Sequence, residues 1–281
     1  MTPFFFMQLA DPQFGMFASR SEITGAAIEQ ELLKGNKVLD TGPVSDMDIE
    51  RELFAKAISE ANRLKPAFVV VCGDLVHNNT PTEWQALQEV ADTLDPGIPL
   101  HWVPGNHDIG GLSVSEATDS LDVFRERFGA NYFAFQHHGA SFITLDSTTI
   151  CNRPPLTELW PEQLAFVEQE LAAANARGGP IIVFSHHPAF LKSPDEPDDY
   201  WNWPLQYRIP LLQTLRRGNV SAIFCGHWHR NNYSTFGDME MVVSGPVGYP
   251  LAKDPSGYRI VKVNADAIEH DYHGISEGFG S

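Results

Sequence analysis

Three observations predict an α/β protein built from two β-sheets packed together and covered on the outside by helices. Apolar, β-rich runs alternate with helical periodicities as far as residue 229, and beyond it the pattern changes to short strands without helices. Five of the apolar runs end in short polar motifs: Asp11-Pro12-Gln13, Gly73-Asp74, Gly105-Asn106-His107-Asp108, His186-His187-Pro188 and Gly226-His227-Trp228-His229. Carboxylate, amide and imidazole groups at successive strand ends can converge on one sheet edge, which is what a two-metal hydrolase needs.

The first element is a strand over 4–10, PFFFMQLA. It is too short to span a bilayer, and it lacks both a preceding basic region and a following small-residue cleavage site, so a core strand is expected rather than a signal peptide. Residues 15–45, punctuated by Gly25, Gly35, Gly42 and Pro43, are weakly patterned. A connection of that length reads either as a functional lid or substrate insertion, or as disorder. A helix over 46–64 places Ile49, Leu53, Ala57, Ile58, Ala61 and Leu64 on one side, and Ser45 with Asp48 resembles a capping box.

Strands at 67–72 and 99–103 flank a helix over 82–94. A helix over 116–128 then leads to strands at 131–136 and 140–146. The helix over 161–177 opens at Pro161, repeats Leu164, Val167, Leu171 and Ala174, and stops at Gly178-Gly179. A strand at 180–185, a helix over 205–217 and a strand at 220–225 follow. The tail adds strands at 231–236, 239–244, 257–263 and 267–272. Without an internal repeat or low-complexity run, one domain over 1–281 is expected.

A chain of 281 residues with 43% hydrophobic content can bury a sizeable core. It has no run of 18 or more apolar residues, so no membrane-spanning segment is expected. Cys72, Cys151 and Cys225 match no zinc spacing and cannot close a disulfide framework, which points to the cytoplasm. The net charge of −17 and the lack of a Lys/Arg-rich run speak against binding a nucleic-acid backbone or an anionic membrane. Anionic substrates remain compatible, because salt screens charges beyond roughly 8 Å.

Asp11 and Asp74 are hard oxygen donors, Asn106 offers an amide oxygen, and His186, His227 and His229 offer imidazole nitrogens. Such a mixed shell suits manganese, iron or zinc better than calcium or copper. Each residue alone has a bland reading, as a turn or helix-cap aspartate or a structural histidine. Five motifs in this order, each after an apolar run, leave few bland explanations.

As a set these motifs resemble the calcineurin-like metallophosphoesterases, whose series is D-x-H, GD, GNH-D/E, H and GHxH. The segments ADPQFG, CGDLVH, GHWHRN, MVVSGPVG and KDPSGYRIV are similar to the subgroup called calcineurin-like phosphoesterase domain-containing protein 1. The resemblance implies a four-layer α/β/β/α sandwich of two mixed β-sheets flanked by helices, the metallo-dependent phosphatase fold. It implies two divalent or mixed-valence transition ions: Asp11, Asp74 and His229 hold the first, with Gln13 beside it, and Asp74, Asn106, His186 and His227 hold the second. It also implies a bridging hydroxide as nucleophile and His107 as the catalytic residue that contacts substrate or protonates the leaving oxygen. His187 is read as support or packing.

Two positions depart from the pattern. Gln13 stands where the family usually has His, and an amide is a weaker donor to a transition ion than an imidazole. In the GDxxDRG stretch of the phosphoprotein phosphatases, His77 and Asn78 replace the Asp that orients the catalytic His and the Arg that grips phosphate. His77 is thus either a rim residue contacting substrate or polar surface. Arg230 is either a phosphate clamp or an exposed loop arginine. Tyr200, Trp201 and Trp203 form either a substrate wall or aromatic packing.

The expected activity is hydrolysis of a phosphate monoester, on a small molecule or on phosphoserine or phosphothreonine in a protein. A cyclic-nucleotide or other phosphodiesterase is the alternative within enzymes, and a non-catalytic interaction module on the same fold is the alternative outside them. The sequence leaves the oligomeric state open.

Overall fold

The computed structural model describes residues 1–265 and 267–275. Period-two burial explains its layering, because successive side chains of a strand point to opposite faces and here both faces are covered. In β1 (Phe4–Leu9), Phe6 faces the interior between the sheets whereas Met7 and Leu9 face helices. β2 (Val69–Cys72) divides the same way: Val70 and Cys72 face inward, Val69 and Val71 outward. These runs are apolar throughout because neither face meets water.

The first sheet has the order β11 (Ile268–Gly274), β10 (Gly257–Val263), β1, β2, β3 (Leu100–Val103). β1, β2 and β3 run parallel, and β10 returns antiparallel to β1. The second sheet has the order β4 (Ala134–His137), β5 (Ala140–Thr144), β6 (Ile181–Phe184), β7 (Val220–Cys225), β9 (Met239–Val243), β8 (Asn232–Phe236). β5, β6, β7 and β9 are parallel, with antiparallel strands at both edges.

Helices α3 (Asp48–Leu64), α4 (Pro81–Ala91) and α5 (Val114–Phe128) cover the first sheet through Phe54, Ile58, Leu87 and Phe124. Helices α7 (Trp160–Arg177) and α8 (Leu205–Arg217) cover the second through Val167, Leu171, Leu212 and Leu215. The result is the expected α/β/β/α sandwich. Among the described residues, no helix is long and apolar enough to cross a membrane.

The sequence expectation differs from the structure at three places. Ser45 does not cap α3: the N-cap is Met47, and the backbone N–H of Asp48 is taken by Asp46 Oδ1. The capping box sits instead at α4, where Thr80 and Glu83 satisfy each other's backbone N–H groups. The 147–160 stretch carries a short helix α6 (Thr148–Cys151) and a 3-10 turn (Thr157–Leu159) that apolar periodicity does not reveal.

The 15–45 segment is not disordered. It folds into α1 (Met16–Ser21) and α2 (Ala26–Leu33), and polar ties hold it in place. Glu50 Oε1 accepts from the N–H groups of Gly15 and Phe17, at 3.0 and 2.9 Å. Glu31 pairs with Arg20 and with Lys34, each at 2.8 Å. Since α2 buries no residue, the segment offers little periodicity to read.

The layer between the sheets is largely aromatic. Phe6 stacks on Phe68 at 4.8 Å and meets the edges of Phe142, Phe184 and Phe224. Phe6→Ala should therefore cost about 3–5 kcal/mol in guanidinium unfolding, read as a lower midpoint at unchanged slope. A loss below about 1 kcal/mol would show that this ring does not hold the sheets together. Hydrogen bonds from Lys34, aided by Arg20 and Asn36, hold the Glu31 carboxyl down at about 2, against an ordinary value of 4.5. With the folded value below the unfolded one, its contribution is present above pH 4.5 and is lost as pH falls toward 2. Hydrogen exchange of α1 and α2, corrected for intrinsic rates, should accelerate across that window, and Glu31→Gln should reproduce the acceleration at pH 7. Equal protection in both conditions would contradict this.

Candidate metal centre

Every motif lies where a parallel strand ends. Asp11 follows β1, Asp74 follows β2, Asn106 follows β3, His186 follows β6 and His227 follows β7, so the carboxyl edges of both sheets supply the site. The backbone continues to pair past the strand ends: Asp11 N–H donates to Gly73 O at 3.0 Å and Gln13 N–H to Asp74 O at 2.9 Å. Gly226 N–H donates to His186 O at 3.0 Å, tying the ends of the second sheet together.

Asp11, Gln13, Asp74, His227 and His229 all adopt left-handed φ values, between 41° and 69°. Such conformations cost about 1–3 kcal/mol each and persist only where the surroundings over-determine them. Close approach requires glycine between them. A Cβ on Gly105 would lie 2.1 Å from Asp74 N, and one on Gly226 would lie 2.5 Å from Asp11 Oδ2.

Each ring N–H of the ligand-type histidines is taken by a backbone carbonyl. His186 Nδ1 faces Cys72 O at 2.9 Å, His227 Nε2 faces Tyr200 O at 3.0 Å, and His229 Nδ1 faces Tyr249 O at 2.6 Å. This fixes the tautomers and turns the other nitrogen of each ring, with its lone pair, into the cluster. His186 Nε2 thereby lies 3.1 Å from Asn106 Oδ1, 3.1 Å from His227 Nδ1 and 3.2 Å from Asp74 Oδ2. His229 Nε2 lies 3.5 Å from Asp11 Oδ1. Lone pairs converging at these distances repel unless positive charge sits among them; a proton on His186 Nε2, facing Asp74, supplies part of it, and the mixed oxygen and nitrogen donor set fits a metal ion in its place.

Gln13 points the same way. Its Nε2 donates to His77 Nδ1 at 3.2 Å, which leaves Oε1 buried without a hydrogen-bond partner. An orphaned amide oxygen costs about 1–3 kcal/mol and fits a ligand atom.

The carboxylates are held by backbone donors. Both oxygens of Asp11 accept from His227 N–H, at 3.1 and 3.0 Å, and Asp74 Oδ1 accepts from His107 N–H at 2.9 Å. Burial pushes Asp11 well above the usual carboxylate range. Burial pushes Asp74 the same way but is outweighed by His186 and His107, which hold it well below. Burial opposes the charge on His186, yet Asp74 raises it to about 9. His227 falls to about 3 through burial and the neighbouring His186, and burial takes His229 down to about 4.

The remaining candidates divide. His107 stacks on His77 at 4.8 Å, and its Nδ1 donates to His77 O at 2.7 Å. His77, brought down to about 4 by burial, faces Gln13 and His107 rather than forming free polar surface. His187 is held by Ser147 Oγ at 2.8 Å and packs 4.3 Å from the His227 ring. Tyr200 is half-exposed, accepts from Asn106 Nδ2 at 3.2 Å and lies over His227. Trp201 also contacts the His227 ring, at 5.3 Å.

Of the alternatives the sequence leaves open, Trp203 takes the packing one, and Arg230 is neither aimed at the cluster nor an exposed loop arginine. Trp203 is 0% exposed, packs under the second sheet and donates Nε1 to His187 O, so it cannot form a substrate wall. The Arg230 guanidinium donates to Gly35 O and Asn36 Oδ1 and covers the Trp228 ring, so it tethers the 15–45 segment instead of clamping phosphate. Sequence reasoning gave no role to Asp108. It is fully buried and its oxygens accept from the N–H groups of Leu75, Val76 and Gly105, bracing the turns that carry Asp74 and Asn106. The fourth position of GNHD was the available signal.

The calcineurin-like phosphoesterase family model matches residues 40–231. Serine/threonine-protein phosphatase CPPED1 of Rattus norvegicus is 37% identical, across 98% of this chain and 85% of its own length. The Homo sapiens protein of the same name is 35% identical, also across 98% of this chain and 85% of its own length. Among solved structures, a dimetal phosphatase from Danio rerio superposes with a TM-score of 0.68 at 15% identity, covering 98% of this chain and 97% of the other.

The packing around the turns is directly testable. Gly105→Ala should destabilise the fold by about 2–3 kcal/mol, the range of overpacking, whereas Gly110→Ala, whose nearest contact would be 3.4 Å, should cost under about 1 kcal/mol. Equal thermal midpoints for the two variants would contradict the close approach at Asp74.

Proposed function

Because the chain belongs to the calcineurin-like phosphoesterase family, we propose that the strand-end cluster is the catalytic centre of a phosphomonoesterase acting on phosphoserine or phosphothreonine in proteins. The chain is a metal-dependent phosphoesterase, an activity that uses two metal ions. In our reading Asp11, Gln13, Asp74 and His229 hold one ion and Asp74, Asn106, His186 and His227 the other, with Asp74 shared. The mixed oxygen and nitrogen donors suit manganese, iron or zinc. A pair of divalent ions, when bound, supplies Lewis acidity: a nucleophilic water at neutral pH and compensation of charge on the phosphoryl oxygens.

The observation that carries this reading is the convergence of His186 Nε2 with Asn106 Oδ1, His227 Nδ1 and Asp74 Oδ2, all within 3.2 Å. Around that point the chain's own groups orient and protonate. With Nδ1–H donated to the His77 carbonyl, the imidazolium form of His107 can give its Nε2 proton to the departing oxygen and is left as the neutral Nδ1–H tautomer. The His107 N–H fixes Asp74, and the carbonyl of Tyr200 fixes His227. The serine/threonine phosphatase names of relatives aligned over 98% of the chain support a protein substrate. The same reading takes 1–281 as one domain in which 15–45 is an insertion flanking the site. It places the protein in the cytoplasm, in keeping with three unpaired cysteines.

Two ions per chain are expected from elemental analysis of protein saturated with manganese or zinc. Asp74→Ala and His227→Ala should each lower metal-dependent release of p-nitrophenol from p-nitrophenyl phosphate by about 10³-fold or more. Near-normal turnover in both variants would refute the assignment. Faster hydrolysis of bis-p-nitrophenyl phosphate than of the monoester would make the protein a diesterase, and metal-free protein without metal-stimulated turnover would make it an interaction module.

A further inference from the structure

A cavity of about 230 Å³ opens beside Asn106, His187 and Tyr200, and the mechanism above does not use its far wall. That wall is the turn after α6, Cys151 to Pro154, which faces Ile109 to Gly111 beyond the GNHD motif. Two groups on it are unpaired. Arg153 is exposed and, among the described residues, makes no hydrogen bond or ion pair, whereas Arg20, Arg51 and Arg63 are matched with carboxylates. Asn152 is 8% exposed: its Nδ2 donates to Ile109 O at 2.9 Å, and its Oδ1 is buried without a partner. An unpaired cation at the mouth of a cleft is notable in a chain with 36 acidic and 19 basic side chains.

We propose that this pocket receives the leaving-group side of the substrate and selects a phosphopeptide with an acidic side chain next to the phosphorylated residue. The proposal rests on the phosphoesterase reading above and names the substrate class of that site. Arg153 supplies the partner for the acidic side chain, and Asn152, whose Nδ2 donates to Ile109 O at 2.9 Å, ties the turn that carries Arg153 to the chain beyond the GNHD motif. Ile109, Cys151 and Pro154 offer apolar surface to the side-chain stems. The size is consistent, since 230 Å³ is below the roughly 300–1,000 Å³ of pockets that enclose whole drug-sized ligands and suits a short stretch of a longer substrate. A second phosphate on a nucleotide would also satisfy Arg153; the serine/threonine-protein phosphatase names of the relatives favour the peptide.

The test compares kcat/KM for two phosphoserine peptides that differ only in Glu or Gln beside the phosphoserine. Wild-type protein should prefer the Glu peptide by about tenfold, mainly through KM, the gain of one charge-assisted hydrogen bond. Arg153→Lys should keep a preference, Arg153→Gln should bring the ratio to about one, and Arg153→Glu should invert it. A wild-type ratio of one, or a ratio unchanged in Arg153→Gln, would overturn the proposal while leaving p-nitrophenyl phosphate turnover and the phosphoesterase reading intact. A nucleoside bisphosphate that outcompetes both peptides in an Arg153-dependent way would overturn the peptide assignment. Absence of any metal-dependent p-nitrophenyl phosphate hydrolysis by wild-type protein would remove the phosphoesterase reading and this inference with it.

Discussion

The structure is organised around a repulsive arrangement. Imidazole nitrogens, carboxylates and amide oxygens from both sheets aim lone pairs at one buried volume, and only positive charge makes that favourable. Each side chain would relax away if free to do so. It is prevented by carbonyls on the outer nitrogens of His186, His227 and His229, by backbone N–H groups on Asp11 and Asp74, and by left-handed turns that leave no alternative direction. The aromatic layer around Phe6 supplies the rigidity, since it fixes the two carboxyl edges relative to each other. The strain at the turns is stored against that packing.

A polar thread through the same interface carries the constraint further. Gln8 projects inward from β1, donates to Cys225 O at 3.0 Å and accepts from Ser244 Oγ at 2.7 Å. Ser244 Oγ in turn accepts from Arg259 Nε, and Arg259 Nη2 donates to Asn231 Oδ1 at 2.6 Å. Burial lowers Arg259 to about 10, still charged at neutral pH. Inside an apolar sandwich such groups are tolerable only when satisfied, and once satisfied they fix register. This thread joins the end of β7, which leads into the GHWH turn, to β1, which leads into Asp11.

What the sequence revealed follows from what holds each part. Strands buried on both faces write themselves as short β-branched and aromatic runs, so β2, β6 and β7 were legible within a residue or two. The polar motifs were legible because their side chains end those runs. Elements held by polar ties were not. α1 and α2 depend on Glu50, Glu31 and Tyr249, which lie near or far in sequence without any period. Trp201 and Trp203 are two residues apart and chemically alike, yet one packs beside His227 and the other is sealed under the second sheet. Only the path of the chain toward α8 separates them. The tether made by Arg230 is hidden from the sequence for a similar reason, since its partners Gly35 and Asn36 lie about two hundred positions earlier.

The 15–45 segment is joined by hydrogen bonds to the chain around the candidate metal centre. Tyr249 is the hinge of this connection: its carbonyl accepts from His229 Nδ1 at 2.6 Å, and its phenol oxygen accepts from Leu39 N–H, also at 2.6 Å. Next to it, Leu251 N–H donates to His229 O at 3.4 Å while Leu251 O accepts from Lys37 N–H at 2.7 Å. Arg230 adds a third tie from the residue after His229. Residues 35–39 make bonds to Tyr249, Leu251 and Arg230, and among these partners it is the Tyr249 carbonyl that orients the His229 ring. Residues 35–39 therefore bond to the chain beside His229, whose Nε2 faces Asp11, so these ties reach the Asp11 side of the cluster rather than the Asn106 side.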